Sequence, residues 1–585
     1  MLTGFDNLSN FYLRSIKRKK ITDLGINKLK NLLTIILCCI MVQCGYSQIF
    51  PKEGAQLNYT ELVFDFPPVN KASYYRLELW DMDDKNPLPY HIQNDSTHVI
   101  FCNFFAFGKS YAWRYSAYAG NDVQIYRSMK YEFSILPQGA LDSAHFDYLC
   151  RGQMGRKGYV LLDQQRSMVD FKGRVVWRMP KIQGLGVEQP YNVRDLRMTK
   201  EGTFTAIITS GIAVEFDRDG NILWLAPGSQ NLKENTGENY HHDFRKINNG
   251  NYMVLSESND KIFLPVNTKD TAKYNGMQNV VKDGGKYYYL GTFGTIVEYD
   301  AMGKELWKWN SAGYFASQLM AGWQNKSTHL NAFDYDEITD KVYLGFRDLN
   351  LILEVNRKSG KVDQEFGKPL YPGHKTTGNG FFALQHSIEK TKEGNLLVFN
   401  NDSSAIDSVV SSIVEFGLKP NSEGRLMKKK TSLKIDGSDN GKSEKYGSAE
   451  YIDDSIVMVG AGGTGRVLGI NSFNNAVVFD IIVKSYQSGW AAVMFYRAHY
   501  TSSFYPAYFS LSRKEKGYYL CNEGREDDVI SITGVNAKGE KVYAENIKIE
   551  KGRGIYFNIP AKDIRYMKAE SKLNRFLIRE IEINE

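Results

Sequence analysis

Cysteine is scarce and poorly placed for cross-linking. Of six cysteines, Cys38, Cys39 and Cys44 fall in one apolar N-terminal run, which leaves Cys102, Cys150 and Cys521 for the rest of the chain. An odd, widely spaced set gives no disulfide framework. No Cys-x-x-Cys pair occurs, which argues against thiol redox chemistry and thiolate zinc sites. His-x-His and His-Glu-x-x-His spacings are missing too. Proline is sparse, with 15 residues against 51 Gly and 37 Tyr, a balance that favours strands and tight turns. Segments of helical period are few. The excess of positive charge is also shallower than it looks. Residues 1–47 carry seven basic residues against Asp6 and Asp23, a net of +5, so only about +2 of the formal +7 belongs to the remainder. That leaves no basic stripe of the kind a nucleic-acid binder needs.

The basic N-terminus reads as an export leader. Lys28 and Lys30 precede the apolar run Leu32–Val42, and Gly45-Tyr46-Ser47 follows. The run is too short for a mature membrane span and fits a signal h-region. Cleavage is expected near Ser47, which sends the mature chain to the periplasm, the medium or the cell surface with no stable membrane span. The alternative is a lipoprotein acylated at Cys44, for which Gln43 is a poor preceding residue.

Residues 48–140 read as a first unit. Tyr74–Trp80, Tyr111–Tyr118 and Lys130–Leu136 are aromatic-rich alternating runs between turn residues, the pattern of a small fibronectin type III-like β-sandwich. His91 and His98 read as surface histidines. From about 141 a repeat takes over, an apolar strand, a Gly turn, and an apolar-Trp close. Ala213–Asp217 runs through Gly220 to Trp224, and Ile296–Asp300 through Gly303 to Trp307; weaker copies are Ile352–Asn356, Ile413–Phe416 and Val467–Asn471. The roughly 55–60-residue spacing suits propeller blades with loop insertions. Hairpins alternate with these phrases at Arg194–Gly202, His242–Asn251, His329–Lys341, His386–Asn395 and Gly447–Asp454. The expected fold is all-β, a six-bladed β-propeller over 141–528. Residues 529–585 would either close it or form an appendage.

The hairpins place the chemistry. His242 and His386 stand at the same offset before Gly250-Asn251 and Gly394-Asn395, and Arg194 holds that offset before Gly202. In a ring of repeats the same phase means the same place in each unit, so Arg194, His242, His329, His386 and Tyr446 or Gly447 would meet around one mouth. Arg347 follows His329 on the turn Gly345–Asp348. Imidazole can serve as nucleophile, acid or base near neutral pH, and guanidinium forks suit oxyanions. The implied ligand is a sulfate or phosphate ester.

The ordered set His241-His242-Asp243, His329-Leu330-Asn331, Arg347, His386 with Gly394-Asn395, Gly447–Glu450 and Tyr496-Arg497-Ala498 with Tyr505-Pro506 resembles the bacterial aryl-sulfate sulfotransferases over roughly 145–525. That resemblance implies transfer of a sulfuryl group from an aryl sulfate donor to a phenolic acceptor by a ping-pong route through a sulfohistidine, with no cofactor and no metal. It makes His386 the nucleophile and gives His242, His329 and Arg347 the sulfuryl oxygens and the proton. Asn331, Arg194, His241 and Arg497 are the substrate-binding candidates. On a strand, neighbouring side chains point opposite ways, so one of His241 and His242 is expected to face the channel, and phase favours His242. A homodimer stays open as an assembly.

Three other readings compete. The histidines could hold zinc, although Arg347 would repel a cation. A hydrolase would use the same site with water as acceptor; the lack of a Cys-x-Pro-x-Arg motif argues against the usual formylglycine sulfatases. A non-catalytic propeller binding glycan or protein would make the histidines dispensable. Gly460–Arg466 resembles a phosphate cradle, but no helix follows it, and it reads as a blade turn.

Overall fold

The computed structural model describes residues 49–582, apart from 95–96, 102, 139–145, 186–190, 209–210, 230–239, 265–278, 321–327, 403–409, 423–424, 434–441, 486–491, 515–516, 560–562 and 575–576. The leader, with Ser47 and Cys44, lies outside the described residues. Among the described residues, no helix is long and apolar enough to cross a membrane, and Cys150 and Cys521 are free thiols.

The front unit is two sheets. One orders the strands Ala55–Leu57, Tyr131–Ile135, Ser110–Tyr118, Tyr74–Asp81 and Tyr90–Asn94, with Gln124–Arg127 also paired to Ser110–Tyr118; the other pairs Leu62–Asp65 with His98–Phe101. The alternating aromatics read from sequence meet between them. Trp113 packs edge-on against Phe64 at 5.0 Å, and Phe66 stacks on Tyr115 at 4.3 Å. His98 is not on the surface. It is buried and its Nδ1 pairs with Asp65, because its strand closes the small second sheet over this core.

Six antiparallel sheets follow in chain order. Five have their innermost strands at Val193–Met198, Phe244–Lys246, Leu330–Asp336, His386–Lys390 and Ser448–Asp453. In the other, Tyr159–Leu162 pairs with Ala498–Thr501 from the far end of the array, in register Tyr159↔Thr501 to Leu162↔Ala498. The repeated phrases of the sequence are strands of these sheets, such as Ile212–Phe216, Leu351–Asn356 and Arg466–Asn471. Their continuous burial reflects packing on both faces. The fold is all-β and propeller-like.

A relay of hydrogen bonds links each sheet to the next around the axis. Asp163 accepts from the backbone N–H of Asp195 at 3.1 Å, Asp195 from Phe244 at 2.9 Å and Asp243 from Phe333 at 3.1 Å. Asp334 then accepts from Lys390 at 2.6 Å, Ser387 from Ala449 at 3.2 Å and Ser448 from Ala498 at 3.1 Å. The last step returns to the first sheet, so the relay is a closed circle. It satisfies inner-strand N–H groups that face the axis rather than a neighbouring strand.

Closure by Ala498–Thr501 corrects the boundary expected at 528. Phe509–Lys514, Gly517–Asn522 and Gly554–Phe557 form one further sheet, and Lys541–Ile549, Asp528–Val535, Tyr566–Ser571 and Ile578–Glu582 another. These seven strands share their own apolar core around Leu511, Leu520, Ile532 and Met567. They pair with one another and leave no strand for the ring. The front unit, by contrast, is continuous with the first two sheets. Thr60 donates its N–H to Val176 at 2.9 Å, the Tyr505 hydroxyl donates to Glu61 at 2.7 Å, and Trp177 stacks on Phe204 at 4.2 Å.

Candidate active site

The predicted residues converge, but not in the way strand alternation suggests. His386 is the first residue of its strand, His329 lies one before Leu330, and His242 lies two before Phe244. Non-glycine residues in the left-handed region mark the start of five consecutive inner strands: Asp195 (φ 54°), His242 (φ 64°), His329 (φ 44°), Ser387 (φ 46°) and Tyr446 (φ 65°). Such conformations are unfavourable for side-chain-bearing residues and collect at functional sites. Here they turn the chain as it enters the axis and aim the adjoining side chains at the mouth.

This corrects the expectation for the His241-His242 pair. Neither residue is in a strand, and the positive φ of His242 breaks alternation. Both rings line one cavity of about 220 Å³ together with His329, Glu257, Thr292 and Thr328. Their Nδ1 atoms are 2.7 Å apart, so one donates and the other accepts. The His242 and His329 ring centres are 5.4 Å apart.

Tyr496 is the hub beneath them. Its ring centre lies 5.9 Å from His242, 6.4 Å from His386 and 5.5 Å from Tyr446, and the Arg194 guanidinium sits over it at 5.5 Å. Burial holds its phenol well above the usual range, so it is a neutral platform. Arg194 is therefore at the site, as its phase predicted.

His386 is almost fully buried, and its Nδ1 lies 2.6 Å from Asn401 Oδ1. The orientation of that amide is determined by its other end, where Nδ2 donates to the carbonyls of Ser443 at 2.7 Å and Tyr446 at 2.9 Å. Oδ1 must then accept, so Nδ1 of His386 carries the hydrogen and Nε2 keeps its lone pair. Burial pushes the His386 imidazole down to about 3; the Asn401 bond opposes this, and the charges of Arg347, Arg497 and His329 add to it. His241 is pushed down to about 4 by burial, with His329 and Arg194 contributing. His242 lies well below its ordinary value through burial and then His241 and His329.

His329 differs from the other imidazoles. Its Nδ1 lies 2.8 Å from Asp348 Oδ2, and Asp348 also accepts from Arg347 Nη1 at 2.6 Å. The His329 hydrogen bond and the Arg347 charge hold the Asp348 carboxyl below the usual range. Arg347 follows the strand Lys341–Phe346, and its N–H donates to the His329 carbonyl at 3.1 Å. One carboxylate thus orients both an imidazole and a guanidinium.

Two substrate-binding candidates are reassigned. Arg497 is fully buried, not exposed to the mouth. Its Nη1 pairs with Asp195 at 3.0 Å and Asp243 at 2.9 Å, and its Nη2 donates to the Asn331 carbonyl at 3.0 Å. It neutralises the carboxylates of the axial relay. Asn331 is also fully buried, and its Nδ2 donates to the Gln385 carbonyl at 2.9 Å, which braces the strand that starts at His386. Asn401 and Asp348 were missed. Asn401 looks like a loop asparagine in Asn400-Asn401-Asp402, and only its neighbours across the sheet reveal its role. Asp348 follows Arg347 directly and could have been noticed as its partner.

A larger cavity of about 630 Å³ lies between the front unit and the ring, bounded by residues such as Glu61, Phe107, Tyr148 and Arg174. Among the described residues that line it there is no histidine, and it lies apart from the mouth.

The neutral imidazoles make a stability prediction. An unfolded imidazole takes up its proton near pH 6.5, but folded His386 and His241 do so only near about 3 and about 4. Below pH 6.5 the unfolded chain therefore binds more protons, and folding stability falls as the pH drops from 6.5 toward those values. At about pH 5 each such imidazole costs about 2 kcal/mol. Denaturant unfolding at about pH 7 and about pH 5 should show His386→Asn losing less stability across that interval than wild type. Equal losses would mean that the folded protein protonates His386 freely.

Fold and site together define an all-β, propeller-like protein whose axial mouth gathers neutral imidazoles and guanidinium groups suited to an oxyanion. Residues 160–409 match the Arylsulfotransferase (ASST) family, a stretch that contains Arg194, His241, His242, His329, Asn331, Arg347 and His386. The match supports the arylsulfotransferase family and, with it, aryl sulfotransferase activity. No curated protein matches the chain. Among solved structures it is similar to a luciferin-regenerating enzyme (8% identity, 60% of this chain and 99% of that one, TM-score 0.27). It is also similar to the dihydro-heme d1 dehydrogenase NirN (9%, 70% and 79%, TM-score 0.28) and to the β-propeller domain of Cps50 (Swd1) from Myceliophteria thermophila (9%, 51% and 83%, TM-score 0.21).

Proposed function

We propose that the protein moves a sulfuryl group from an aryl sulfate to a phenol in two steps through His386, on the mouth of a six-bladed ring. The observation that carries this is the Asn401 amide, whose orientation leaves His386 Nε2 with a free lone pair in a neutral ring. In the first step Nε2 forms a bond to sulfur as the sulfur–oxygen bond to the aryl group breaks, and the electron pair leaves on the phenolate. In the second step the phenol oxygen attacks sulfur, the nitrogen–sulfur bond breaks, and Nε2 recovers its pair. Arg347 and His242 hold the equatorial oxygens while charge spreads over them.

His329 is the proton carrier in this reading. Its bond to Asp348 fixes the orientation of the ring. It gives its proton to the departing phenolate in the first step and takes the acceptor's proton in the second. The sequence treated His242 and His329 alike; the carboxylate behind only one of them separates their roles. The export leader read at 1–47 places this chemistry outside the cytoplasm.

Incubation with para-nitrophenyl sulfate, with and without phenol, tests the activity. Phenol-dependent release of para-nitrophenol with formation of phenyl sulfate is expected; release independent of phenol would mean hydrolysis. The proton role has its own test. Asp348→Asn should lower turnover of phenyl sulfate by about 100-fold, because the departing phenolate is a basic leaving group whose conjugate acid has a pKa of about 10. With para-nitrophenyl sulfate, whose leaving group needs little protonation, the loss should be only about threefold. Equal losses with both donors would remove His329 from proton transfer.

A further inference from the structure

The cavity beside His242 and His329 has one feature the reaction itself does not require. Glu257 stands on its wall. The strand Tyr252–Leu264 continues past the ring, and along it Leu255 receives the His241 N–H at 3.0 Å while Glu257, two residues on, faces the same side farther out. Its cross-strand partner is Gly294, over which the apolar side chain of Leu330 packs, so that flank offers the carboxylate no hydrogen-bond donor. Glu257 is exposed, and among the described residues no cation pairs with it. A carboxylate with no cationic partner among the described residues, at the rim of a cavity lined by His241, His242 and His329, opposes the binding of anions. It is out of place in a site that only holds sulfate.

Size makes the cavity a receptor for one ring. A cavity of about 150 Å³ holds benzene, so 220 Å³ takes a phenol with a short side chain. With the phenol hydroxyl at His242 and His329, the opposite end of the ring points along the strand toward Glu257. We propose that this cavity is the acceptor subsite and that Glu257 selects phenols bearing an ammonium group on a short chain opposite the hydroxyl. This rests on the sulfotransfer reading above and extends it to the acceptor class.

The test uses para-nitrophenyl sulfate as donor and three acceptors: tyramine, para-ethylphenol and para-hydroxyphenylpropionate. The readout is the ratio of kcat/KM for tyramine to that for para-ethylphenol. A partly exposed charge pair is worth roughly three- to tenfold, so wild type should prefer tyramine by about that factor, less at high salt because the pair is screened. Glu257→Gln should bring the ratio near one, and Glu257→Lys should turn the preference toward para-hydroxyphenylpropionate. A ratio that is the same in wild type and Glu257→Gln overturns the proposal while leaving sulfotransfer intact. Failure of wild type to sulfate any of the three acceptors overturns the reaction as well.

Discussion

Replacing His386 with Asn should lower kcat for aryl sulfate turnover by about four orders of magnitude or more, the range reached when a covalent nucleophile is removed. Asparagine preserves a polar group near Asn401 and leaves no ring nitrogen to attack sulfur. An imidazole that served only as an acid or base would cost about 100- to 10,000-fold and would change the pH profile. The loss for His386→Asn should instead be similar at each pH above about 5, since the ring is already neutral there. A folded, soluble His386→Asn protein that still turns over within about 100-fold of wild type would remove the nucleophile from His386.

Arg497→Met is expected to act on stability rather than on substrate. Asp195 and Asp243 are both fully buried. Burial alone would raise the Asp195 carboxyl; the Arg197 and Arg497 charges hold it well below the usual range. Taking away one member of such a buried group leaves uncompensated charge and costs about 3–5 kcal/mol. The relay adds to this, because Asp195 and Asp243 also hold backbone N–H groups of the next sheets. Arg194→Met, at the half-exposed mouth, should change stability by less than about 1 kcal/mol while weakening substrate binding. Urea unfolding of both variants separates the two roles. An Arg497→Met protein as stable as wild type, but with a raised KM for the aryl sulfate, would return Arg497 to the substrate-binding set.

Much of this was legible because a ring of repeats writes its geometry into spacing. The Trp-closed phrases became strands buried on both faces, and the shared phase of Arg194, His242 and His386 brought all three to the mouth. What spacing could not show was local conformation. Alternation is a property of extended backbone, and the left-handed φ of His242 put both histidines of the pair on one cavity. The axial carboxylates were hidden for a different reason. Asp163, Asp195 and Asp243 look like turn formers in sequence, yet each accepts backbone N–H groups across sheets, and Arg497 is buried where it neutralises Asp195 and Asp243. Asn401 is the clearest omission. Its role depends on the carbonyls of Ser443 and Tyr446, more than forty residues away, and nothing local distinguishes it from a turn asparagine. The boundary at 528 failed because strand-like sequence after 509 does not say which partner it will take.

The most direct measurement is the identity of the intermediate. Wild-type protein mixed with para-nitrophenyl sulfate in the absence of acceptor, quenched under alkaline conditions and digested, should yield the peptide containing His386 with one added sulfuryl group on the ring nitrogen. Added phenol should discharge that group before quenching, and His386→Asn should carry none. A sulfuryl group found on His242, His329 or any tyrosine, or turnover with no adduct under rapid quench, would contradict the account.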